Sequence, residues 1–209
     1  MSWRNAPISL QQFSIYQQLN RRRRQRNLRK QLRDATPLKV VLGAGTTVFE
    51  GWIQTDKEML DVACPEDWSF LFEPSSIDSI LCEHMLEHLS EEEGRVAVKE
   101  CYHYLKRGEL FRVAVPDGYR RDATYIRETN PPSDGHLMLY NIDSLTRLLE
   151  SVGFKTTPLE YFDVQEQFHA FPWDEKDGMV HRSVRFDTQE EFQRDGLFYT
   201  SLIIDARKQ

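Results

Sequence analysis

Short apolar runs recur along the chain, separated by segments in which apolar residues return every three or four positions. Four of these runs are predicted to form strands, at Leu38–Leu42, Trp52–Thr55, Ile77–Cys82 and Leu110–Val115. Their nearly continuous apolar content is typical of strands that are covered on both faces, as in parallel sheets.

Helical signals follow the third strand. Residues Ser90–Glu93 fit a capping box, which predicts a helix that begins there and ends at Gly108. A further helix is predicted over residues 141–153, followed by a strand at 154–162 and a last strand at 197–204. Strands that alternate with helices predict an α/β fold with a mostly parallel sheet.

The first 36 residues differ from the rest of the chain. One helix is predicted over Ile8–Arg33, which has no Gly or Pro, and Thr36-Pro37 ends it. The stretch Asn20–Asn27 has no apolar anchor, so we expect it to be solvated or to face acidic groups. Residues 1–36 hold nine basic side chains and one acidic, a charge of +8; the whole chain has −6, which leaves −14 for the other 173 residues.

This charge distribution limits the choice of partners. The acidic residues 37–209, the body of the protein, do not have the composition of a nucleic-acid-binding surface. Only the basic arm, residues 1–36, could supply one. Contact of Arg21–Arg33 with RNA phosphates remains an alternative to a helix face that is merely solvated.

Composition narrows the class of protein. The chain has 209 residues, of which 40% are hydrophobic and 29% charged, as in one globular domain. No apolar run approaches the roughly 18 residues that a membrane span needs, and we expect a cytoplasmic protein without membrane contact. Three widely spaced cysteines fit a reducing compartment and a role as small buried hydrophobes.

A glycine-containing turn follows the first strand. The absence of Cβ atoms in Gly43-Ala44-Gly45 lets the backbone approach a nucleotide, and Asp56, after the second strand, is placed to accept hydrogen bonds from ribose hydroxyls. Only 13 positions separate Gly43 from Asp56, against about 20 in the dinucleotide fingerprint. A full crossover helix hardly fits, so we expect a ligand with ribose but no phosphate. The N-terminal helix is expected to cover the sheet face that a crossover helix would bury.

The order of five sequence blocks is similar to that of the class I S-adenosylmethionine-dependent methyltransferases: LGAG, Asp56, IDSILCEHMLEHL, YLKRGELFRVAVPDG and LLESVGF. The chain more closely resembles a bacterial group of predicted methyltransferases with a short first crossover, which share something like the closing HRSVRFD and YTSLIIDARK. The resemblance runs over about Leu38–Lys208. It implies S-adenosylmethionine as cofactor and a Rossmann-like, mostly parallel sheet with an antiparallel last strand and flanking helices. One departure is Arg107-Gly108-Glu109, where such sequences usually have Pro-Gly-Gly.

The resemblance also implies which residues bind the cofactor. Gly43-Ala44-Gly45 is expected beside its methionine part, Asp56 at its ribose, and Asp67-Trp68 near its adenine. Glu83-His84 is expected at the carboxyl end of the third strand, where open α/β sheets place their ligands.

The string His84-Met85-Leu86-Glu87-His88 also matches the H-x-x-E-H pattern of inverted zinc peptidases. Such a site needs both histidines on one helix and a distant third ligand. His84 directly follows an apolar strand and is expected in a turn, so no metal site is predicted.

Two loops hold candidates for the methyl-transfer step. Asp117 follows the fourth strand, His136 lies in a loop rich in Pro and Gly, and both are expected to face the sulfonium. Positioning supplies much of the rate of such a displacement, and a base is needed only if the acceptor must lose a proton. His136 is the preferred base, and a solvated loop histidine is the alternative.

Residues 163–195 interrupt the periodic pattern and are interpreted as an insertion before the last strand. Four of its residues are expected to form an acceptor-binding lid, with a purely structural flap as the alternative: His169, Trp173, His181 and Arg182. The chain is thus predicted to have a basic helical arm over 1–36 and one methyltransferase-like domain over 37–209. The predicted function is methyl transfer from S-adenosylmethionine to a small-molecule acceptor. The alternative is a non-catalytic cofactor-binding module that associates with RNA through its arm.

Overall fold

The computed structural model describes the backbone of residues 10–187 and 200–209, and the side chains of 18–185 and 200–209. The helices are α1 Leu10–Asp34, α2 Pro65–Leu71, α3 Glu91–Tyr104, α4 Ala123–Thr129, α5 Ile142–Ser151 and α6 Val184–Asp187. The strands are β1 Lys39–Leu42, β2 Ile53–Thr55, β3 Ile77–Glu83, β4 Leu105–Val115, β5 Phe154–Phe162, β6 Phe168–Ala170 and β7 Leu202–Lys208. The start of the predicted last strand, at 197–199, and the end of the predicted insertion, at 188–195, lie outside the described residues.

The strands form one sheet in the order β2-β1-β3-β4-β7-β5-β6. β1 pairs in parallel with β2 and β3, and β3 with β4, whereas β7 is antiparallel to both β4 and β5. The short β6 is antiparallel to β5. The predicted α/β fold, with a mostly parallel sheet and an antiparallel last strand, is confirmed.

Both faces of the central strands are buried, as their continuous apolar content predicts. Val40 and Leu42 of β1 belong to the larger core cluster, with residues of helices α1, α2, α3 and α5. Val41 and Leu81 point to the other face, where Val180 and Trp173 of the predicted insertion cover them. The insertion therefore completes the core on the face where the described part of the chain places no long helix.

The capping box of α3 is confirmed, but the predicted end of that helix is wrong. The Ser90 hydroxyl accepts from the backbone N–H of Glu93 at 3.4 Å, and Ser90 N–H donates to the Glu93 carboxylate at 2.9 Å. The helix ends at Tyr104 because Leu105, fully buried, pairs at once with Ile77 in the sheet. Gly108 lies inside β4 with a φ of +82°, and the departure at Arg107-Gly108-Glu109 is thus accommodated within a strand.

The crossover between β1 and β2 contains turns and no helix. Helix α1 packs on the sheet face that a crossover helix would otherwise cover. Leu28 and Leu32 of α1 are 3% and 5% exposed and belong to the same cluster as Val40 and Leu42. This packing agrees with the expectation that the N-terminal helix covers the sheet face left by the short crossover.

The stretch of α1 without apolar anchors fits both alternatives that the sequence left open, because most of it is exposed to solvent and one side faces acidic groups. Arg21 pairs with the carboxylate of Asp67, and Arg24 pairs with Glu58. Gln25, 7% exposed, donates to Asp67 at 2.8 Å and to the Met59 carbonyl at 3.1 Å. Part of the positive charge of α1 is therefore paired with carboxylates of the domain that it packs on.

The predicted insertion has more regular structure than its sequence indicates. It contributes β6 and α6, and a buried arginine of β4 holds its middle part to the sheet. The Arg112 guanidinium donates to the Asp205 carboxylate at 2.6 and 2.9 Å, and to the carbonyls of Asp174 and Gly178 at 2.8 and 2.6 Å. Among the described residues, no helix is long and apolar enough to cross a membrane.

Candidate active site

The carboxyl ends of three parallel strands meet at one edge of the sheet. Leu42 of β1 is in register with Thr55 of β2 and Cys82 of β3, so the residues that follow each strand come together. A cavity of about 240 Å³ opens at this edge. Its walls are the turn after β1, the end of β3 and the loop before α6: Val41, Gly43, Ala44, Gly45, Thr46, Thr47, Phe49, Glu83, His84, His181 and Arg182.

The two glycines of the turn have different reasons for lacking a side chain. Gly43 has a φ of +64°, and a Cβ there would lie 2.4 Å from Cγ of Met85. Gly45 has a φ of +57° and nothing within 4 Å of where its Cβ would be, while its N–H donates to Asp56 Oδ1 at 3.1 Å. The turn thus packs on one side, is open on the other, and holds Asp56 beside the cavity.

Glu83, at the end of β3, places a carboxylate in the cavity wall. Its oxygens accept from the backbone N–H of Arg182 at 2.7 Å and lie 3.5 Å from Nδ1 of His181. Burial by itself would raise the pKa of Glu83, but hydrogen bonds from His181 and Arg182 outweigh burial and lower it. The same contact raises the pKa of His181. Glu83 is therefore ionised at neutral pH, and it ties the loop before α6 to the sheet.

His84 lies in the turn directly after β3, with a φ of +50°. Its Nε2 is 2.7 Å from the Ser201 hydroxyl and its Nδ1 is 3.2 Å from Oε1 of Glu87. As expected from the preceding apolar strand, His84 is not on a helix. It also lines a second cavity, of about 270 Å³, together with Pro116, Tyr125, Glu128, Thr129, Asp134, His136, Arg182 and Thr200. His84 and Arg182 are the residues common to both cavities.

His136 lies in the wall of the second cavity and is not a solvated loop histidine. It is 5% exposed, and its Nδ1 donates to the Thr129 carbonyl at 2.8 Å. This hydrogen bond fixes the ring and leaves Nε2 as the acceptor nitrogen. Its ring meets that of His88 edge to face, with centroids 4.9 Å apart.

The structure does not bring Asp67 and Trp68 to either cavity. Both belong to α2, where the Asp67 carboxylate binds α1 and accepts from the Asp61 N–H at 2.8 Å. Trp68 is fully buried, stacks on Tyr104 and donates to the Val62 carbonyl at 3.0 Å. Both residues pack in the region where α1 docks, and their place near adenine stays a prediction.

Asp117 is buried and lines neither cavity. The residue is 1% exposed, and its two carboxylate oxygens accept from the backbone N–H groups of Tyr119 and Phe162 at 2.9 and 2.7 Å. It joins the loop after β4 to the end of β5 and lines neither cavity. Burial raises the pKa of this carboxyl to about 6. The role of Asp117 is structural, and a place facing the sulfonium is not supported by the geometry.

The four expected lid residues separate into two pairs. His181 and Arg182 line the first cavity. His169 binds Asp163 at 2.7 Å and stacks on Tyr161, and Trp173 donates to Glu160 at 2.8 Å and packs against Arg112. His169 and Trp173 line neither cavity, so they belong to the structural alternative rather than to an acceptor lid.

Sequence reasoning missed the residues that contact His84 and His136 from the turn after β3. Residues Leu86–His88 form a single 3₁₀ turn, and Glu87 and His88 lie close to His136. The only sequence signal was the H-x-x-E-H string, which contains Glu87 and His88, but both lie on a 3₁₀ turn and not on a longer helix. The third member, His136, is separated by 48 residues from His88, and only the tertiary fold brings it there.

The fold of the chain matches that of solved methyltransferases. An S-adenosylmethionine-dependent methyltransferase from Archaeoglobus fulgidus aligns over 92% of this chain and 94% of its own length, with a TM-score of 0.52 and 17% identity. The DszA carbon methyltransferase aligns over 85% of this chain with a TM-score of 0.51 and 15% identity, and the match spans 48% of that longer chain. This chain has the fold of S-adenosylmethionine-dependent methyltransferases. No protein-family model matches it, and no curated protein does so either. Its place in the bacterial group with a short first crossover stays a prediction.

Proposed function

We propose that this protein is an S-adenosylmethionine-dependent methyltransferase that acts on a small molecule. One observation carries the proposal: in a chain with this fold, an open glycine turn and an aspartate lie side by side at the carboxyl edge of the parallel strands. This edge is where open α/β sheets bind ligands.

The turn after β1 and Asp56 are proposed to hold the cofactor. The open space over Gly45 lets a ligand approach the backbone closely. Asp56 Oδ1 is already oriented by the Gly45 N–H, so the carboxylate accepts hydrogen bonds from ribose hydroxyls without a further ordering step. The crossover has no helix N-terminus to bind a pyrophosphate, which favours a cofactor with ribose and no phosphate.

The charges in the first cavity suit a ligand of mixed charge. The bound cofactor supplies an electrophilic methyl group on a sulfonium. Glu83 is held ionised beside the turn, and its negative charge stabilises a cationic group there. Arg182, which adjoins Glu83 through its backbone N–H, also lines this cavity and is proposed to bind a carboxylate.

The second cavity is proposed to bind the acceptor. It adjoins the first through His84 and Arg182, and it presents Glu128 and Asp134 as further polar groups. His136 adds an acceptor nitrogen that can receive a proton or bind an ion. We propose that His136 acts on the acceptor, whereas the residues of the first cavity bind the cofactor.

Binding of S-adenosylhomocysteine tests the cofactor site. At about 100 times its Kd a ligand stabilises the fold by about 2.7 kcal/mol, which raises Tm by roughly 5–10 °C in a chain of this size. Asp56→Asn removes a charged hydrogen-bond acceptor and should weaken binding by about 10- to 100-fold in calorimetry. Asp34→Asn, an exposed aspartate at the end of α1, is the matched control and should bind like the wild type. If S-adenosylhomocysteine neither binds nor raises Tm of the wild type, the proposal is wrong.

Formation of S-adenosylhomocysteine from S-adenosylmethionine, measured over a panel of hydroxy and amino metabolites, then tests catalysis. Turnover should depend on the panel compound and fall with Asp56→Asn in proportion to binding. A protein that binds the cofactor and turns over none of the panel would instead fit the non-catalytic alternative.

A further inference from the structure

A histidine-carboxylate cluster forms where the turn after β3 meets the loop before α5. Glu87, His88 and His136 each offer one ligand atom, and these atoms lie within 4.8 Å of one another. The backbone fixes their approach, since the Glu87 carbonyl accepts from Leu137 N–H at 2.8 Å and Met138 N–H at 3.0 Å. The loop that carries His136 is thereby attached directly to the 3₁₀ turn.

Both histidines are oriented as metal-binding histidines are. Nδ1 of His136 donates to the Thr129 carbonyl at 2.8 Å, and Nδ1 of His88 lies 3.3 Å from the Gly135 carbonyl. A backbone carbonyl on one ring nitrogen selects the tautomer whose other nitrogen has a free lone pair, which is the usual outer-shell arrangement of a ligating histidine. The two Nε2 atoms are thus the acceptors of the cluster.

The carboxylate of Glu87 is buried with one close ion-pair contact, to His84, and without a hydrogen bond among the described residues. Its side chain is 1% exposed, and within the described part of the chain neither oxygen makes a hydrogen bond. The nearest polar group is Nδ1 of His84, 3.2 Å from Oε1. A buried carboxylate without hydrogen bonds is costly unless a cation or a metal ion balances it. A divalent ion among these three side chains supplies that balance.

We propose that Glu87, His88 and His136 bind a divalent transition-metal ion such as Zn²⁺, Mn²⁺ or Co²⁺. Two imidazoles and one carboxylate are a donor set that these ions accept, and three protein ligands leave coordination positions open. Metal–ligand distances are about 2.1 Å, so the three ligand atoms must move closer together when an ion binds. Rotation of the exposed His88 side chain can bring its ring nitrogen toward the other two.

The position of the ion connects it to the acceptor. His136 belongs both to the cluster and to the wall of the second cavity, with Asp134 beside it. The open positions then bind an oxygen of the acceptor, which specifies a hydroxylated acceptor; this step rests on the proposed function. With an ion present, His136 orients the acceptor through the metal instead of acting as a free base.

Metal binding is tested on the untagged full-length protein after removal of metals with a chelator and without cofactor. Titration with Zn²⁺ in a calorimeter and with Co²⁺ in a visible spectrometer should each show one equivalent bound, and the d–d bands of Co²⁺ should shift and intensify on binding. His88→Ala should weaken binding by at least about 100-fold, beyond the loss of an outer-shell partner. The fold should be retained in this variant, because His88 is exposed. His103→Ala, which removes an exposed histidine of α3, is the control and should bind as tightly as the wild type.

Two results would overturn the inference. One is the absence of saturable binding of Zn²⁺, Mn²⁺ and Co²⁺ by the wild type. The other is binding that His88→Ala and Glu87→Gln leave unchanged, since the ion then lies elsewhere. A protein that binds the ion but not S-adenosylhomocysteine would refute the proposed function alone, so the two failures are distinguishable.

Discussion

The docking of α1 can be tested by removing one buried side chain. Leu28 is 3% exposed and lies in the main core with β1, so Leu28→Ala leaves a cavity between the helix and the sheet. Alanine has a slightly higher helix propensity than leucine, so α1 itself is not weakened. The variant therefore measures the contact between α1 and the rest of the domain.

The expected loss follows from the burial of Leu28. Replacement of a fully buried Leu by Ala costs about 2–5 kcal/mol, depending on how far the site collapses. We expect about 3 kcal/mol, because a helix packed on one face can move toward the gap. In a chain of 150–250 residues each kcal/mol shifts Tm by about 2–4 °C, so Tm should fall by roughly 6–12 °C.

Urea and thermal unfolding followed by circular dichroism measure this change. Leu19→Ala, on the same helix but with Leu19 61% exposed, is the matched control and should change the free energy of unfolding by at most about 0.5 kcal/mol. Equal, small shifts for the two variants would refute the docking. Deletion of residues 1–34 with an unchanged Tm would refute it independently.

Three further predictions concern Gly43, Asp117 and Arg112. Gly43→Ala should cost about 2 kcal/mol or more in urea unfolding, from the left-handed backbone and the contact with Cγ of Met85 at 2.4 Å. In a Met85→Ala background the cost should fall only in part, because Cβ of residue 85 still lies 2.8 Å away; strict additivity would contradict this. The Asp117 carboxyl should titrate by ¹³C NMR with a pKa of about 6, above the ordinary 3.8, because of burial. The protonated Asp117 carboxyl then contributes its full stabilisation below pH 3.8, and this stabilisation is lost as the pH rises through 6. A titration midpoint below pH 4 would contradict this pKa. Arg112→Met leaves Asp205 without its partner and should lower the free energy of unfolding by about 3–5 kcal/mol. Limited proteolysis at residues 174–178 should become faster. A variant as resistant to protease as the wild type would show that Arg112 does not hold this segment.

Local patterns were enough to predict the parallel strands, the capped helix and the turn after β1. Each depends on residues close in sequence: continuous apolar runs, a serine and a glutamate three positions apart, and glycines directly after a strand. The same holds for His84, whose place in a turn follows from the apolar strand before it.

Other features were decided by contacts between distant segments. Helix α3 ends at Tyr104 because the next residue enters the sheet against Ile77. Asp67 belongs to the docking site of α1, because Gln25, 42 positions away, donates to it.

The chain's amino-acid sequence thus determined the fold class and the residues that follow each parallel strand, since both depend on local signals. The tertiary structure alone decided that His136 meets Glu87 and His88, and that Gln25 of the arm binds Asp67. Such groupings depend on how loops return across the sheet edge, and no periodicity along the chain encodes that path.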